Sequence, residues 1–156
     1  MPDITIDTSV PSPQLVVTPR LVTVLCGYED RTDVALTHDL HVGGAAVTVP
    51  VTVETRGADL HTPGAIPLSL HATNHTAWFP SFRGQIRSEA VGPLESILRL
   101  AGTYQTPLGV LGELVDATVL GHAAERTLRS FLDRVRSDVI DEIRRAELSV
   151  RAREGR

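Results

Sequence analysis

Residues 106–147 read TPLGVLGELVDATVLGHAAERTLRSFLDRVRSDVIDEIRRAE, and this stretch decides the fold. Its apolar residues recur at steps of three and four, which places their side chains on one face of an α-helix. They are Ala124, Leu128, Phe131, Val135, Val139 and Ile143, with Leu120, Leu132 and Ile140 beside them. Thr106 can cap the helix, and Pro107 suits its first position. The pattern predicts one long amphipathic helix from Thr106 to about Glu147, followed by a frayed polar tail over residues 148–156.

The chain before residue 106 has a different pattern, in which apolar and polar residues alternate along short segments. Alternation of this kind is typical of strands with one buried face. We predict strands over residues 14–26, 34–42, 47–53, 66–72, 79–91 and 97–104. Pro19 places part of the first strand at an edge or a bulge of the sheet. Residues 1–13 are predicted to form a flexible arm that either stays mobile or pairs along a sheet edge.

The order of these segments indicates the fold class. Short links between successive strands favour antiparallel pairing, because parallel strands need long crossover connections. The apolar face of the sheet needs a cover, and the C-terminal helix is the element able to supply it. We therefore predict a single α+β domain over residues 14–147, in which a curved antiparallel sheet grips one long C-terminal helix.

The composition narrows the possible functions. The chain has 156 residues and a formal net charge of −4, so it lacks the basic character of a nucleic-acid-binding protein. Its one cysteine, Cys26, excludes an internal disulfide. No apolar run approaches roughly eighteen residues, and the N-terminus does not have the pattern of a signal peptide. We predict a cytoplasmic protein with no nucleic-acid partner and no integral membrane association.

Several short motifs resemble a known family. They are LAGTYQTPLG at 100–109, Leu111-Gly112, Leu114, Asp116, AERT at 124–127, Phe131-Leu132, and Trp78-Phe79-Pro80 with Phe82 and Gly84. Together, over about residues 66–135, they resemble the START-like or SRPBCC (polyketide cyclase/dehydrase-like) proteins of actinobacteria. The resemblance implies a helix-grip fold whose sheet and helix enclose an apolar cavity for lipids, sterols, polyketides or plant hormones.

One feature of that family has little room in this chain. START-like proteins commonly have two short helices between their first and second strands, and these helices help to close the cavity. If residues 14–26 form a strand, only the segment from Gly27 to Asp33 is available for the pair. The spacing in this chain therefore departs from the family and predicts an N-terminal helix pair that is reduced or missing. The cavity is then open, covered by a partner chain or filled by side chains.

The resemblance also implies which side chains meet a ligand. The predicted ligand-binding residues are His38, Leu70, Phe82, Ile86, Leu98, Leu100, Tyr104, Leu114 and Leu128. Alternation turns Ser88 and Ser96 inward as well. His38 is either a general base or a histidine satisfied by a backbone carbonyl. Tyr104 either donates to a ligand carbonyl or packs its ring on the start of the helix.

Metal and cofactor sites are not predicted. His38 and His41 are three residues apart, so in a strand they point to opposite faces. His71 and His75 share a face only if the strand continues through Asn74, and no nearby carboxylate completes a metal site. The sequence contains no phosphate-binding loop, nucleophile elbow or dinucleotide fingerprint.

Three functions remain open from the sequence. The first is the non-covalent binding of a hydrophobic small molecule between sheet and helix, which the shortage of inward polar groups favours over catalysis. The second is a cyclase, aromatase or isomerase acting on a polyketide-like substrate, with His38 and Tyr104 as proton-transfer groups. The third is a non-catalytic homodimer with a filled core, which acts through an interface.

Overall fold

The computed structural model describes residues 3–29, 35–40, 45–55, 65–73, 81–105 and 117–155. Within these ranges the chain forms six strands and two helices. In chain order they are β1 (Asp3–Val10), α1 (Gln14–Glu29), β2 (Ala35–Leu40), β3 (Ala45–Glu54), β4 (Ile66–Ala72), β5 (Ser81–Gly92), β6 (Glu95–Gln105) and α2 (Ala117–Glu154).

The strands form one antiparallel sheet in the order β1-β6-β5-β4-β3-β2. From β2 to β6 each strand pairs with its neighbour in the chain, as the short links predicted. The predicted alternation is confirmed on β4, where Ile66, Leu68, Leu70 and Ala72 are buried. The α+β class, with an antiparallel sheet and a long C-terminal helix, is thus confirmed.

The buried stripe of α2 also follows the prediction. Its buried residues are Ala124, Leu128, Phe131, Leu132, Val135, Val139 and Ile143. The expected helix start at Thr106 and Pro107 lies outside the described residues, as does the side chain of Leu120. The helix continues to Glu154 with its last residues exposed, so residues 148–154 of the predicted tail belong to α2.

The predicted strand over residues 14–26 is wrong, because this segment forms α1. Its buried residues, Val17, Leu21, Leu25 and Tyr28, follow one another at steps of four, four and three, so they share one face of a helix. The many valines and threonines favoured a strand, and burial of this face overrides that weak local preference. The N-terminal helical region is reduced, as predicted, but the helix occupies residues 14–29.

Pro19 lies inside α1 without ending it. Proline removes one helical N–H and normally disturbs the turn before it. Two threonine hydroxyls donate to helix carbonyls beside the proline, Thr18 to Gln14 O at 2.9 Å and Thr23 to Pro19 O at 3.0 Å. These bonds give two carbonyls of the disturbed region an additional partner.

The predicted flexible arm is wrong for Asp3–Val10, and the alternative of pairing along a sheet edge is the one observed. These residues form β1, which pairs with β6 from Asp3 opposite Thr103 to Val10 opposite Ser96. Ile6 and Val10 are buried in the core. Arg136 of α2 donates from Nε to the carbonyl oxygen of Ser9 at 2.6 Å, which fixes the end of the strand to the helix.

The sheet curves so that α2 packs mainly against its two edges, β1 and β2, and against α1. Within the described residues, the middle strands β4 and β5 have few backbone neighbours in α2. Side chains must therefore span the interval between the helix and the middle of the sheet. We call the end of the sheet beside the start of α1 the α1 end. The opposite end, where β5 begins at Ser81 and β6 ends at Gln105, is the loop end.

Candidate functional site

The inner face of the sheet, which faces α2, is closed at the α1 end by polar contacts. Gln14 donates from Nε2 to the carbonyl oxygen of Ser88 at 2.8 Å, and the hydroxyls of Thr18 and Ser88 share a hydrogen bond of 2.6 Å. Ser96 donates to the carbonyl oxygen of Ser12 at 2.8 Å. Both predicted inward serines are therefore used to hold α1 and the segment before it against the sheet.

The centre of the core is packed without accessible space. Ile86, Leu98 and Leu100 are 0% exposed, as are Phe131 and Leu132 on the facing helix. A side chain with no accessible surface borders no space large enough for a water molecule. Three members of the predicted ligand-binding set, Ile86, Leu98 and Leu100, thus belong to the packed core in this structure.

A pair of glycines shapes the inner face between the centre and the loop end. Gly84 on β5 lies opposite Gly102 on β6. A Cβ on Gly84 would stand 2.2 Å from the carbonyl oxygen of Ala101 and 2.7 Å from the ring of Phe82. The two backbones approach closely here, and the Phe82 ring covers the surface that the glycines leave bare.

At the loop end, the predicted residues come together in one row. Leu70, Phe82 and Tyr104 stand opposite one another on β4, β5 and β6. Phe82 and Tyr104 are 4% and 6% exposed, and Leu128 of α2 is 4% exposed and belongs to the same apolar core. Leu114 lies outside the described residues, and so does the side chain of His38, whose backbone pairs with Val47.

The two helices are joined by a polar contact that the sequence-based site did not include. The Tyr28 hydroxyl donates to Oδ2 of Asp138, the Tyr28 ring meets Phe131 edge-on at 6.2 Å, and the Arg134 guanidinium lies 5.9 Å from its centroid. Burial raises the pKa of the Tyr28 phenol well above its usual range, and the bond to Asp138 adds to the rise. Tyr28 continues the apolar face of α1, so a helical interpretation of residues 14–29 would have found it.

The outer face of the sheet carries a charged cluster across three strands. Arg99 on β6 donates from Nε to Asp7 at 2.8 Å and from its terminal nitrogen to both oxygens of Glu89 at 2.8 and 2.9 Å. Arg87 adds a further ion pair to Glu89. The hydrogen bond from Arg99 lowers the pKa of Asp7, and the same bond raises the pKa of Arg99. Arg99 thus bridges two carboxylates and ties β1 to β6 and β5, whereas Arg87 Nε is buried beside Glu89 without a hydrogen bond to any described residue.

A separate groove of about 320 Å³ lies on the outer face at the loop end. Its polar walls come from alternate residues of four strands, which point away from the core. They are Glu54, Ser69, His71, Ser81, Arg83, Thr103 and Gln105. Leu70 and Phe82, two members of the predicted site, also line the groove, while the side chains of its polar residues point to the opposite face of the sheet.

The part of the chain that the structure describes contains no group of three or more histidine, cysteine or acidic side chains arranged to hold a metal ion. It also contains no helix that is long and apolar enough to cross a membrane.

The fold of this chain is similar to that of several solved structures. No family model matches the chain, and no curated protein does. The Zhui aromatase/cyclase from Streptomyces sp. R1128 superposes with a TM-score of 0.57 at 18% identity, covering 93% of this chain and 97% of its own. A conserved protein from Geobacillus kaustophilus gives a TM-score of 0.57 at 14% identity, with 90% and 96% covered.

A protein from Thermus thermophilus superposes with a TM-score of 0.50 at 13% identity, covering 90% of this chain and 99% of its own. These similarities extend over nearly the whole of each chain, and at such low identity they concern the fold. Together with the sheet that grips α2, they show that the chain has the START-like helix-grip fold.

Proposed function

We propose that the protein binds a hydrophobic small molecule between the sheet and α2, at the loop end, without covalent chemistry. The observation that carries the proposal is the row of inward side chains at the loop end, where Leu70 stands opposite Phe82 and Phe82 opposite Tyr104. All three are buried, at 3–6% exposed, on the face that the sheet turns toward α2. A ligand would therefore meet Leu70, Phe82, Tyr104 and Leu128, and the predicted role of Leu114 and His38 stays a prediction.

The chemistry of this region suits an apolar ligand with one polar group. Leu70, Phe82 and Leu128 offer apolar surface, and burying such surface is the main driving force for ligand binding in concave sites. Tyr104 is the polar member of the row and can donate one hydrogen bond to a ligand carbonyl. The α1 end offers no comparable site, because Ser88 and Ser96 are already bonded to the N-terminal segment.

Native mass spectrometry of protein purified from its own host, or a related one, tests the proposal. We expect a co-purifying apolar molecule whose mass identifies the ligand class. Leu128→Trp should expel it, because the larger ring takes up volume in the apolar core that Leu128 shares with Phe82 and Tyr104. Leu15→Trp is the matched control, since Leu15 is 91% exposed on α1 and the same change there leaves the core intact. Retention of the ligand by folded Leu128→Trp would contradict the proposal.

The enzymatic alternative is distinguished by its response to one substitution. A cyclase, aromatase or isomerase would use His38 and Tyr104 for proton transfer, and a general base must lie within hydrogen-bonding distance of the proton that it takes. His38→Ala that keeps binding and loses turnover would favour catalysis. The cytoplasmic location and the homodimer with a filled core remain predictions. Sedimentation velocity tests the homodimer, and a concentration-independent monomer counts against it.

A further inference from the structure

The groove on the outer face places an arginine between two hydroxyl side chains. Arg83 of β5 stands opposite Ser69 of β4 on one side and Thr103 of β6 on the other. Neighbouring strands are about 4.8 Å apart, and opposed side chains on one face lie within about 5.5 Å at Cβ. Both hydroxyl residues therefore flank Arg83 at the base of its side chain, and Ser81 and Gln105 form the next opposed pair toward the loop end.

Arg83 differs from two other arginines of the outer face in its ion pairing. Arg99 and Arg87, on the same face, both reach Glu89, and Arg99 also binds Asp7. Within the described ranges Arg83 is exposed and has no ion-pair partner. The carboxylate in the groove, Glu54, stands opposite Ser69, two strands from Arg83, and its Oε1 lies 3.8 Å from His71 Nε2.

We infer that this groove binds a small oxyanion, a carboxylate or phosphate group, through Arg83 with Ser69 and Thr103. The planar guanidinium presents two parallel N–H donors that match the geometry of both groups. The flanking hydroxyls can donate to the oxygens that the guanidinium does not reach. The volume of about 320 Å³ admits a small molecule, and the negative charge of Glu54 disfavours an extended polyanion.

The test is a titration of the isotope-labelled full chain, followed by nuclear magnetic resonance of backbone amides. The probes are inorganic phosphate and acetate, each compared with sodium chloride at the same ionic strength. We expect saturable shifts at the amides around Ser69, Arg83 and Thr103. Arg83→Gln should weaken binding by about tenfold or more, since a charge-assisted hydrogen bond is lost. Thr103→Val should weaken it by about threefold, because one neutral hydrogen bond is lost.

Arg87→Gln is the matched control, because Arg87 lies on the same strand and the same face, four residues from Arg83, and already pairs with Glu89. We expect the affinity of Arg87→Gln for the probe to stay within about twofold of that of the wild type, since the substitution changes only the long-range electrostatic potential at the groove. Equal weakening by Arg83→Gln and Arg87→Gln would overturn the inference, because it would indicate diffuse attraction to the whole face.

The two probes also distinguish the source of the oxyanion. Saturation by phosphate alone identifies a phosphate-bearing ligand, and saturation by acetate alone identifies a carboxylate. Shifts that equal those in chloride, or that rise linearly without saturation for both probes, would overturn the inference. The groove shares Leu70 and Phe82 with the proposed apolar site, but Arg83→Gln and Thr103→Val change side chains on the opposite face and leave the apolar row intact. Failure of this inference therefore leaves the proposed hydrophobic ligand untouched.

Discussion

At the α1 end of the sheet, Leu98 is 0% exposed and its neighbour Ser88 is hydrogen-bonded to α1, whereas at the loop end Phe82 and Tyr104 are 4% and 6% exposed. Both ends are built from the same alternating strands and the same helix. They differ in how α1 is attached to them. At the α1 end Gln14 and Thr18 of α1 hydrogen-bond to Ser88, whereas β3, which shares the row of Leu70 and Phe82 through Val53, meets α1 through fewer contacts than β5 does. The comparison teaches that hydrogen bonds from the second helix, and not the sheet alone, fix the α1 end.

The sharpest test of this comparison uses one substitution at each end. Leu98→Ala should lower the free energy of unfolding by about 4 kcal/mol, because an enclosed cavity in the middle of a sheet cannot collapse. Leu128→Ala should cost about 2 kcal/mol, since Leu128 is 4% exposed on a helix, where the surroundings can relax more than in the middle of a sheet. Urea unfolding of both variants measures the difference. Equal losses would mean that the two ends are packed alike.

The glycine pair between the two ends provides the next prediction. Gly102→Ala should destabilise the protein by about 1–3 kcal/mol, because its Cβ would lie 2.4 Å from the carbonyl oxygen of Arg83. Gly92→Ala is the control, as a Cβ there meets nothing within 4 Å. Thermal unfolding should separate the two variants clearly, and a neutral Gly102→Ala would show that the sheet relaxes easily at this point.

The contact between α1 and α2 can be broken without creating a cavity. Tyr28→Phe should cost about 1 kcal/mol at neutral pH, because it removes the hydrogen bond to Asp138 and keeps the ring on Phe131. The raised pKa of Tyr28 means that the folded state holds the phenol proton more tightly than the unfolded state does. The contribution of the Tyr28 phenol to the free energy of unfolding is fully present below pH about 10 and is lost as the pH rises further.

Measurements of stability against pH therefore have a defined expectation. The wild type should lose stability more steeply than Tyr28→Phe above pH about 10, where the unfolded phenol begins to ionise. Parallel curves for the two proteins would show that the phenol is not held in the folded state as the structure indicates.

The smallest expected effect lies on the outer face. Asp7→Asn weakens the bond from Arg99, which is an exposed interaction, so its effect on unfolding at neutral pH should be small. The lowered pKa of Asp7 makes its contribution present above the unfolded value of about 3.9 and progressively lost as the pH falls below it. Wild type and Asp7→Asn should thus converge in stability as the pH falls through the lowered pKa of Asp7, and a gap that does not narrow in acid would exclude the charge as its cause.

Much of the architecture follows from periodicity in the sequence. The sequence predicted both the apolar stripe of α2, from Ala124 to Ile143, and the alternation of β4, β5 and β6. Each of these periodic patterns lies within a single helix or strand. The candidate ligand residues Leu70, Phe82 and Tyr104 follow from that alternation combined with the family resemblance. The degree of burial of each predicted residue was not predictable from the sequence. Leu98 and Phe82 occupy equivalent inward positions on neighbouring strands, yet they are 0% and 4% exposed.

The sequence by itself determined which face of each strand and of α2 is buried, because that information is local and repeats every two or every 3.6 residues. Only the tertiary structure decided that residues 14–29 form a helix, since burial of Val17, Leu21 and Tyr28 against distant elements outweighs the strand preference of valine and threonine. It also decided the groove, where strand register brings Ser69, Arg83 and Thr103 side by side. Register and docking depend on contacts between distant segments, which a local pattern does not contain.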